Sequence, residues 1–249
     1  MRQSNLYVIL FAAGLTIVFG GALSIASVGL KPLQEKQVEI DTKKKILGAV
    51  MDISKITDPN ELLNLYNEKV TSIIVDINGN EVKEDEKGNS LAAEKVNIQK
   101  NSKFLPEDRL YPVFMFSESG DRVDAYIFPT FGSGLWDWIS SYIALEKDLN
   151  TVLGIAFDHK GETPGLGARI TDEKIQTRYI GKQIYNQQGE LVSIKMLKGE
   201  GNTGLNEHQV DGMSGATITG KGVNAMLETY LGCYHAFIAK RKSQKTASL

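Results

Sequence analysis

The sequence contains very little cysteine, and its charges are nearly balanced. Cys233 is the single cysteine in 249 residues, which excludes an intrachain disulfide and a zinc or iron–sulfur site built from thiolates. Because it lies in an apolar helical stretch, we interpret it as a small buried side chain. The chain has 28 basic and 30 acidic residues, so no basic field indicates a nucleic acid partner.

Several motifs of common enzymes are also missing. Gly165 and Gly167 are not followed by the third glycine of a dinucleotide fingerprint, and no Gly-Lys-Ser/Thr phosphate loop occurs. Residues 212–216 lack the final glycine of a nucleophile elbow. The three histidines are widely separated and show no metal-ligand spacing. We therefore predict no metal site and no set of catalytic side chains.

The N-terminal part of the chain lacks charge. Residues 6–30 form an apolar run without a charged side chain. At about 1.5 Å per residue, such a helix crosses a bilayer core of about 30 Å. We predict a single-pass anchor at residues 1–31 in the inner (cytoplasmic) membrane. The alternative is a cleaved signal peptide, since residues 22–27 offer small side chains for cleavage.

Charge flanking this run gives an ambiguous orientation. Only Arg2 precedes it, whereas lysines follow it at positions 31, 36, 43, 44 and 45. The positive-inside rule, read alone, leaves the remainder of the chain in the cytoplasm, but large domains translocate largely regardless of flanking charge. The lysine count is therefore weak support for either side.

The remainder of the chain mixes strand and helix signals without steady alternation, which predicts an α+β fold. Residues 32–110 are interpreted as a linker and the N-terminal part of the soluble region, 111–240 as the main domain and 241–249 as a tail. Expected strands lie at 72–77, 111–116, 122–128 and 152–157, with a second hairpin formed by 179–185 and 191–197. Expected helices lie at 61–66, 135–145 and from 218 onward, and 81–103 is expected to be an exposed loop.

The most informative segment precedes the last helix. Asp211 opens it, and two hydroxyl side chains follow, Ser214 and Thr217, separated by Gly215 and Ala216. Small residues let a bulky group approach the backbone. The start of a helix has free N–H groups and a positive dipole end, which suit a phosphate. The alternative is an ordinary Ser/Thr helix-capping turn.

Residues 211–217 resemble the flavinylation motif of the FMN-binding domain family, in which the final threonine is esterified through the phosphate of FMN. The matching residue is Thr217. A second segment, residues 159–167, resembles the flavin-contacting loop of that family, with Glu162, Thr163, Gly165, Leu166 and Gly167 as expected contacts. A third segment, residues 132–136, resembles a Gly-Leu-Trp stretch of the family and makes Trp136 a candidate cover for the flavin.

Alternatives remain open for the two supporting segments. Pro164, Gly165 and Gly167 give the loop a backbone that can lie against a flat ring, but they also suit an ordinary Pro-Gly turn. Trp136 also suits an ordinary core position.

Along the chain, the three segments follow one apolar span in the order 132–136, 159–167 and 211–217. This combination resembles the NqrC family of the sodium-pumping NADH:quinone oxidoreductases. The resemblance implies a covalent FMN on Thr217, and an electron-transfer subunit of a membrane respiratory complex that couples NADH oxidation and quinone reduction to Na⁺ export. It also implies other subunits as partners, a separate flavin transferase that uses FAD and magnesium, and a flavin domain on the periplasmic side. The alternatives are the covalent-FMN subunit of an Rnf-type ferredoxin:NAD oxidoreductase, an exported flavoprotein reductase, and an anchored binding or sensory domain without cofactor.

Overall fold

The computed structural model describes residues 4–85, 87–120 and 122–246. The chain forms two compact units, which divide between Asp41 and Thr42. Arg2 and the last three residues of the predicted tail lie outside the described residues.

The first helix, α1, extends from Asn5 to Gly48 and contains Pro32 without ending there. At about 1.5 Å per residue its 44 residues measure about 66 Å, twice the thickness of a bilayer core of about 30 Å. Among the described residues it is the one helix that is long and apolar enough to cross a membrane. The segment after the predicted anchor is therefore helical, and Ile46 and Leu47 near its end are fully buried.

The second unit is built on one antiparallel sheet whose five strands follow the order of the chain. The helix α2 (Pro59–Lys69) precedes it. The strands are β1 (Val70–Val75), β2 (Tyr111–Phe116), β3 (Ala125–Ser133), β4 (Trp138–Glu146) and β5 (Val152–His159). The expected strands at 72–77, 111–116, 122–128 and 152–157 correspond to β1, β2, β3 and β5, with ends that differ by up to five residues, and the mixed α+β class is confirmed.

The expectation of a helix at 135–145 is wrong, because β4 occupies this segment. β4 pairs with β3 from Ser133↔Trp138 to Ala125↔Glu146 and with β5 on its other side. Its residues alternate between half-buried and buried from Trp138 to Ile143, but each face carries apolar residues and a serine, which hides this alternation in the sequence. Aromatic and β-branched residues, which favour strands, were the correct signal.

The segment between β1 and β2 is mostly exposed, as the charge pattern predicts. It contains only short elements: a 3₁₀ turn at Ala93–Lys95, α3 (Ile98–Asn101) and a 3₁₀ turn at Pro106–Asp108. Ala93 and Asn101 are its buried exceptions. Asn101 is held because its side-chain amide donates to the carbonyl of Leu110 at 2.7 Å and accepts from the amide of the same residue at 3.0 Å.

After β5 the chain forms a 3₁₀ turn at Gly167–Thr171, α4 (Glu173–Gln176), a second 3₁₀ turn at Thr177–Tyr179 and two short strands, β6 (Lys195–Met196) and β7 (Gln209–Val210). β6 and β7 pair in parallel. The expected second hairpin is reduced to one antiparallel bridge, Tyr185↔Leu191. The turn signal is therefore confirmed, but the strands expected around it are wrong.

The last helix, α5 (Thr217–Thr246), packs on the sheet and supplies much of the core. Its Tyr234 hydroxyl contacts the carbonyl oxygens of Pro112 in β2 and Pro129 in β3, at 2.9 and 3.2 Å. Both prolines lack an N–H for the sheet, and the Tyr234 hydroxyl provides a donor beside them. The fully buried core residues shared by α5 and the sheet include Val113, Phe128, Ile139, Ile143, Val223, Leu227 and Leu231.

Candidate functional site

All three segments singled out in the sequence meet at the start of α5. A cavity of about 260 Å³ is lined by Leu135 from residues 132–136, by four residues of the 159–167 segment, and by residues 215–219. Seven of the predicted site residues line it: Glu162, Thr163, Leu166, Gly167, Gly215, Ala216 and Thr217. Residues more than fifty positions apart in the chain therefore form one concave surface.

Thr217 is the first residue of α5 and is half-buried. The first N–H groups of a helix have no partner inside the helix, and the dipole makes this end positive. Gly215, two residues earlier, has φ +75°, and a Cβ there would lie 2.7 Å from Cδ2 of Leu166. A glycine is needed at this point both for the turn into α5 and for the approach of Leu166.

Glu162 connects the three segments. Its Oε1 accepts hydrogen bonds from the amides of Leu135 and Trp136 at 2.8 and 3.0 Å, and its Oε2 accepts the hydroxyl of Thr219 at 2.5 Å. Burial raises the pKa of this carboxyl, but the hydrogen bonds from Thr219, Trp136 and Leu135 outweigh burial and hold the pKa below its usual range. Glu162 lines the cavity, but both of its carboxylate oxygens are bonded to protein donors.

The side of the cavity formed by residues 132–136 and 159–167 is apolar and open. Trp136 is 70% exposed, Leu135 45% and Leu166 42%. The indole N–H of Trp136 donates to the hydroxyl of Thr163 at 3.1 Å, which fixes the ring beside the cavity although it is not part of the lining. Three large apolar side chains at the surface around one concavity form a surface that suits a flat apolar ring.

A second cavity, of about 320 Å³, also borders Thr217 and Ala216. Three exposed lysines line it, Lys195, Lys198 and Lys221, and no acidic side chain does. Lysine side chains in a cavity shared with a helix start favour an anion there. The sequence analysis did not single out these lysines, because they are spread over three elements.

The structure assigns a structural part to Asp211, which lines neither cavity. Its carboxylate accepts the amide of Gly201 at 2.9 Å and both the amide and the side-chain N–H of Asn202, at 2.9 and 2.8 Å. Ser214 and Gly165 also lie outside the lining, next to residues that belong to it. The flavinylation-like motif therefore contains one residue that anchors a neighbouring loop and several that form the cavity.

The arrangement fits a phosphorylated flavin. Gly215 and Gly167 keep the cavity open, since a Cβ at Gly167 would collide with the side chains of Glu162 and Thr219. The helix start and the lysines suit a phosphate, and the apolar surface suits a ring. The volume of about 260 Å³ is near the lower end of small-molecule pockets, about 300–1,000 Å³, and the second cavity adds to it.

Comparison with known proteins leads to the same FMN-binding domain family that the motifs resemble. The sequence model described as the FMN-binding domain matches residues 134–232. NqrC of the Na(+)-translocating NADH-quinone reductase from Pseudomonas aeruginosa is 31% identical, over 96% of both chains. That of Pasteurella multocida is 28% identical, over 96% of this chain and 93% of the relative.

Solved structures agree. The crystal structure of NqrC from Parabacteroides distasonis has a TM-score of 0.70 and 32% identity, and the match covers 84% of this chain and 96% of that one. Shewanella oneidensis NqrC, at 24% identity and a TM-score of 0.68, shares the fold.

Proposed function

Because this chain belongs to the NqrC family of the Na(+)-translocating NADH-quinone reductases, as its 31% identity over 96% of a relative shows, we propose that it carries FMN as an electron-transfer subunit of such a complex. The FMN-binding domain covers residues 134–232, and one long apolar helix fits a single-pass membrane protein. The relatives' names favour the sodium pump over the Rnf-type complex.

The finer part of the proposal is that FMN is joined through its phosphate to the hydroxyl of Thr217. The observation that supports it most directly is that Thr217 borders both cavities and begins α5. At this position a hydroxyl and the free N–H groups of a helix start face the same space. A threonine hydroxyl is a weak nucleophile, so a separate flavin transferase attaches the cofactor.

The chain's own residues hold the ring and set its surroundings. Leu135, Leu166 and Trp136 exclude water from one face, and Thr163 orients the indole of Trp136 at 3.1 Å. Lys198 and Lys221 supply positive charge near the phosphate. When bound, FMN supplies the electron transfer that no amino-acid side chain of this site performs.

The site lies in the second unit, and we propose that this unit is on the periplasmic side of the inner membrane, with the other subunits of the complex as partners. Coupling to Na⁺ export belongs to the whole complex, because one span cannot form an ion path by itself. Loss of a noncovalent cofactor on the outer side of a membrane would be permanent, and a phosphoester prevents that loss.

The test is flavin fluorescence of the purified full-length chain on a denaturing gel. Wild-type protein from cells that contain the transferase should fluoresce, and Thr217→Ala should not. Thr229→Ala, which removes an exposed threonine hydroxyl of the same helix outside both cavities, is the matched control and should keep covalent flavin. Fluorescence that persists in Thr217→Ala, or that is absent from the wild type, contradicts the assignment.

A further inference from the structure

Glu200 links the two segments that form the flavin site, although it belongs to neither. It lies in the loop between β6 and β7. Arg169, which follows the 162–167 loop, donates to both oxygens of Glu200 at 3.1 and 2.9 Å. Arg178 donates to the same carboxylate at 2.8 Å. Glu200 therefore joins the 3₁₀ turn at Gly167–Thr171, which carries Arg169, to the 3₁₀ turn at Thr177–Tyr179, which carries Arg178.

The other nitrogen of the Arg178 guanidinium holds the segment before Thr217. Its Nη1 donates to the carbonyls of Asp211 and Gly212 at 3.1 and 2.5 Å. Glu200 is therefore connected, through Arg178, to the backbone carbonyls of residues 211 and 212.

The segment before Thr217 also packs closely, backbone against backbone, on the loop that carries Glu200. A Cβ at Gly212 would overlap the carbonyl oxygens of Leu197 and Gly199. Asp211 binds the amides of Gly201 and Asn202 in the same loop. The loop that carries Glu200 and the segment that leads to Thr217 are therefore packed and hydrogen-bonded against each other.

The charge state of the network is fixed. The hydrogen bonds from Arg169 and Arg178 lower the pKa of Glu200 to about 2, so the carboxylate stays ionised at any physiological pH. Charge-assisted bonds to a planar guanidinium fix direction as well as distance. Such a pair orders a loop more strongly than neutral bonds do.

We propose that Glu200 is a positioning residue for flavin attachment: through Arg169 and Arg178 it fixes residues 211–217 against the 162–167 loop, so that the Thr217 hydroxyl is held at the mouth of the cavity. This inference rests on the proposed function. It adds a residue that neither motif contains.

The experiment measures the rate of flavin attachment to full-length protein. Wild-type and Glu200→Gln chains are produced without the transferase, purified in detergent, and incubated with purified transferase, FAD and Mg²⁺. Covalent fluorescence against time gives kcat and KM for the chain as substrate. Because a displacement of about 1 Å at a reacting group lowers rates by up to about 10²-fold, we expect kcat to fall by about tenfold or more with KM nearly unchanged.

Three control variants separate positioning from loss of charge or stability. Glu228→Gln removes the same charge from an exposed position on α5 and should behave as wild type. Leu62→Ala opens a cavity in α2, where Leu62 is 3% exposed, and lowers stability away from the site. Arg178→Gln should lower kcat as Glu200→Gln does, and the double variant should be no slower than either, since the residues act as one unit.

The outcomes are distinct. A wild-type chain that acquires no flavin removes the proposed function itself. A modified wild type together with a Glu200→Gln chain of equal kcat overturns the positioning role alone. The role is also overturned if Leu62→Ala, at equal loss of stability, slows attachment as much as Glu200→Gln, or if the losses in the double variant add.

Discussion

Replacement of Glu162 by alanine should weaken the folded state strongly, because this carboxylate is only 4% exposed and is held by protein donors. The carboxylate accepts two backbone amides, of Leu135 and Trp136, and the hydroxyl of Thr219. Glu162→Ala removes all three acceptors at once and leaves the donors behind. These donors belong to two separate parts of the site, and Glu162 belongs to a third, so the loss affects how the parts fit together.

The magnitude follows from the number and kind of bonds. Hydrogen bonds to a charged group contribute about 1.5–3 kcal/mol each. Water can reach the amides of Leu135 and Trp136, whose side chains are 45% and 70% exposed, so these two contribute at the low end. The sum is about 4.5–6 kcal/mol. Thr219→Val removes only one donor and should lower the free energy of unfolding by about 1.5–3 kcal/mol.

Urea unfolding of the full chain in detergent, followed by tryptophan fluorescence, is the suitable assay. The chain has 2 tryptophans, Trp136 and Trp138, and both lie beside the site. With a slope of about 2–3 kcal/mol per M, Glu162→Ala should lower the midpoint by about 1.5–3 M.

Glu228→Ala, an exposed substitution on α5, should change stability by less than about 0.5 kcal/mol. The reasoning is refuted if Glu162→Ala matches Glu228→Ala, or if Thr219→Val is the more damaging of the two site variants.

Two further results are expected. The pKa of Glu162 is lowered in the folded state, so the stability that this carboxylate adds is complete above its unfolded pKa of about 4.3 and is lost as the pH falls through its folded pKa. In urea titrations, the difference in free energy of unfolding between wild type and Glu162→Ala should be constant from about pH 7 to 5 and should shrink toward pH 3. A free-energy difference that grows in acid would contradict this expectation. Lys198→Gln and Lys221→Gln should each lower the flavin midpoint potential in redox titrations by about 10–40 mV, because each removes a Coulomb energy of about 0.3–1 kcal/mol. The shift should be smaller at high salt. An unchanged or raised potential would show that these lysines do not stabilise the reduced flavin.

Much of the fold was predictable because its signals are local. The uncharged run at 6–30 and the three- and four-residue apolar repeat from Val223 to Ile238 correspond to α1 and α5. The β4 segment was not predictable in this way, because each of its faces carries both apolar residues and a serine, so the polar–apolar alternation that identifies strands is missing. Pairing with β3 and β5 decided its conformation.

The site could be predicted only in part, for the same reason. Thr217, Leu166 and Thr163 lie in recognisable motifs, and the structure brings them to one cavity. Lys195, Lys198 and Glu200 carry no local signal, since each owes its place to the path of the chain between β6 and β7. Such residues become visible only when distant segments are folded together.

The helix that fills the core is also the helix that begins at Thr217. Fraying of its first turn would release Thr219 from Glu162 and expose the buried side chains that follow. Opening at this end is therefore coupled to the cooperative unit with the greatest resistance to local unfolding. The amides of α5 that are bonded within the helix, from Gly220 onward, should exchange with solvent as slowly as the interior, in contrast to most binding loops.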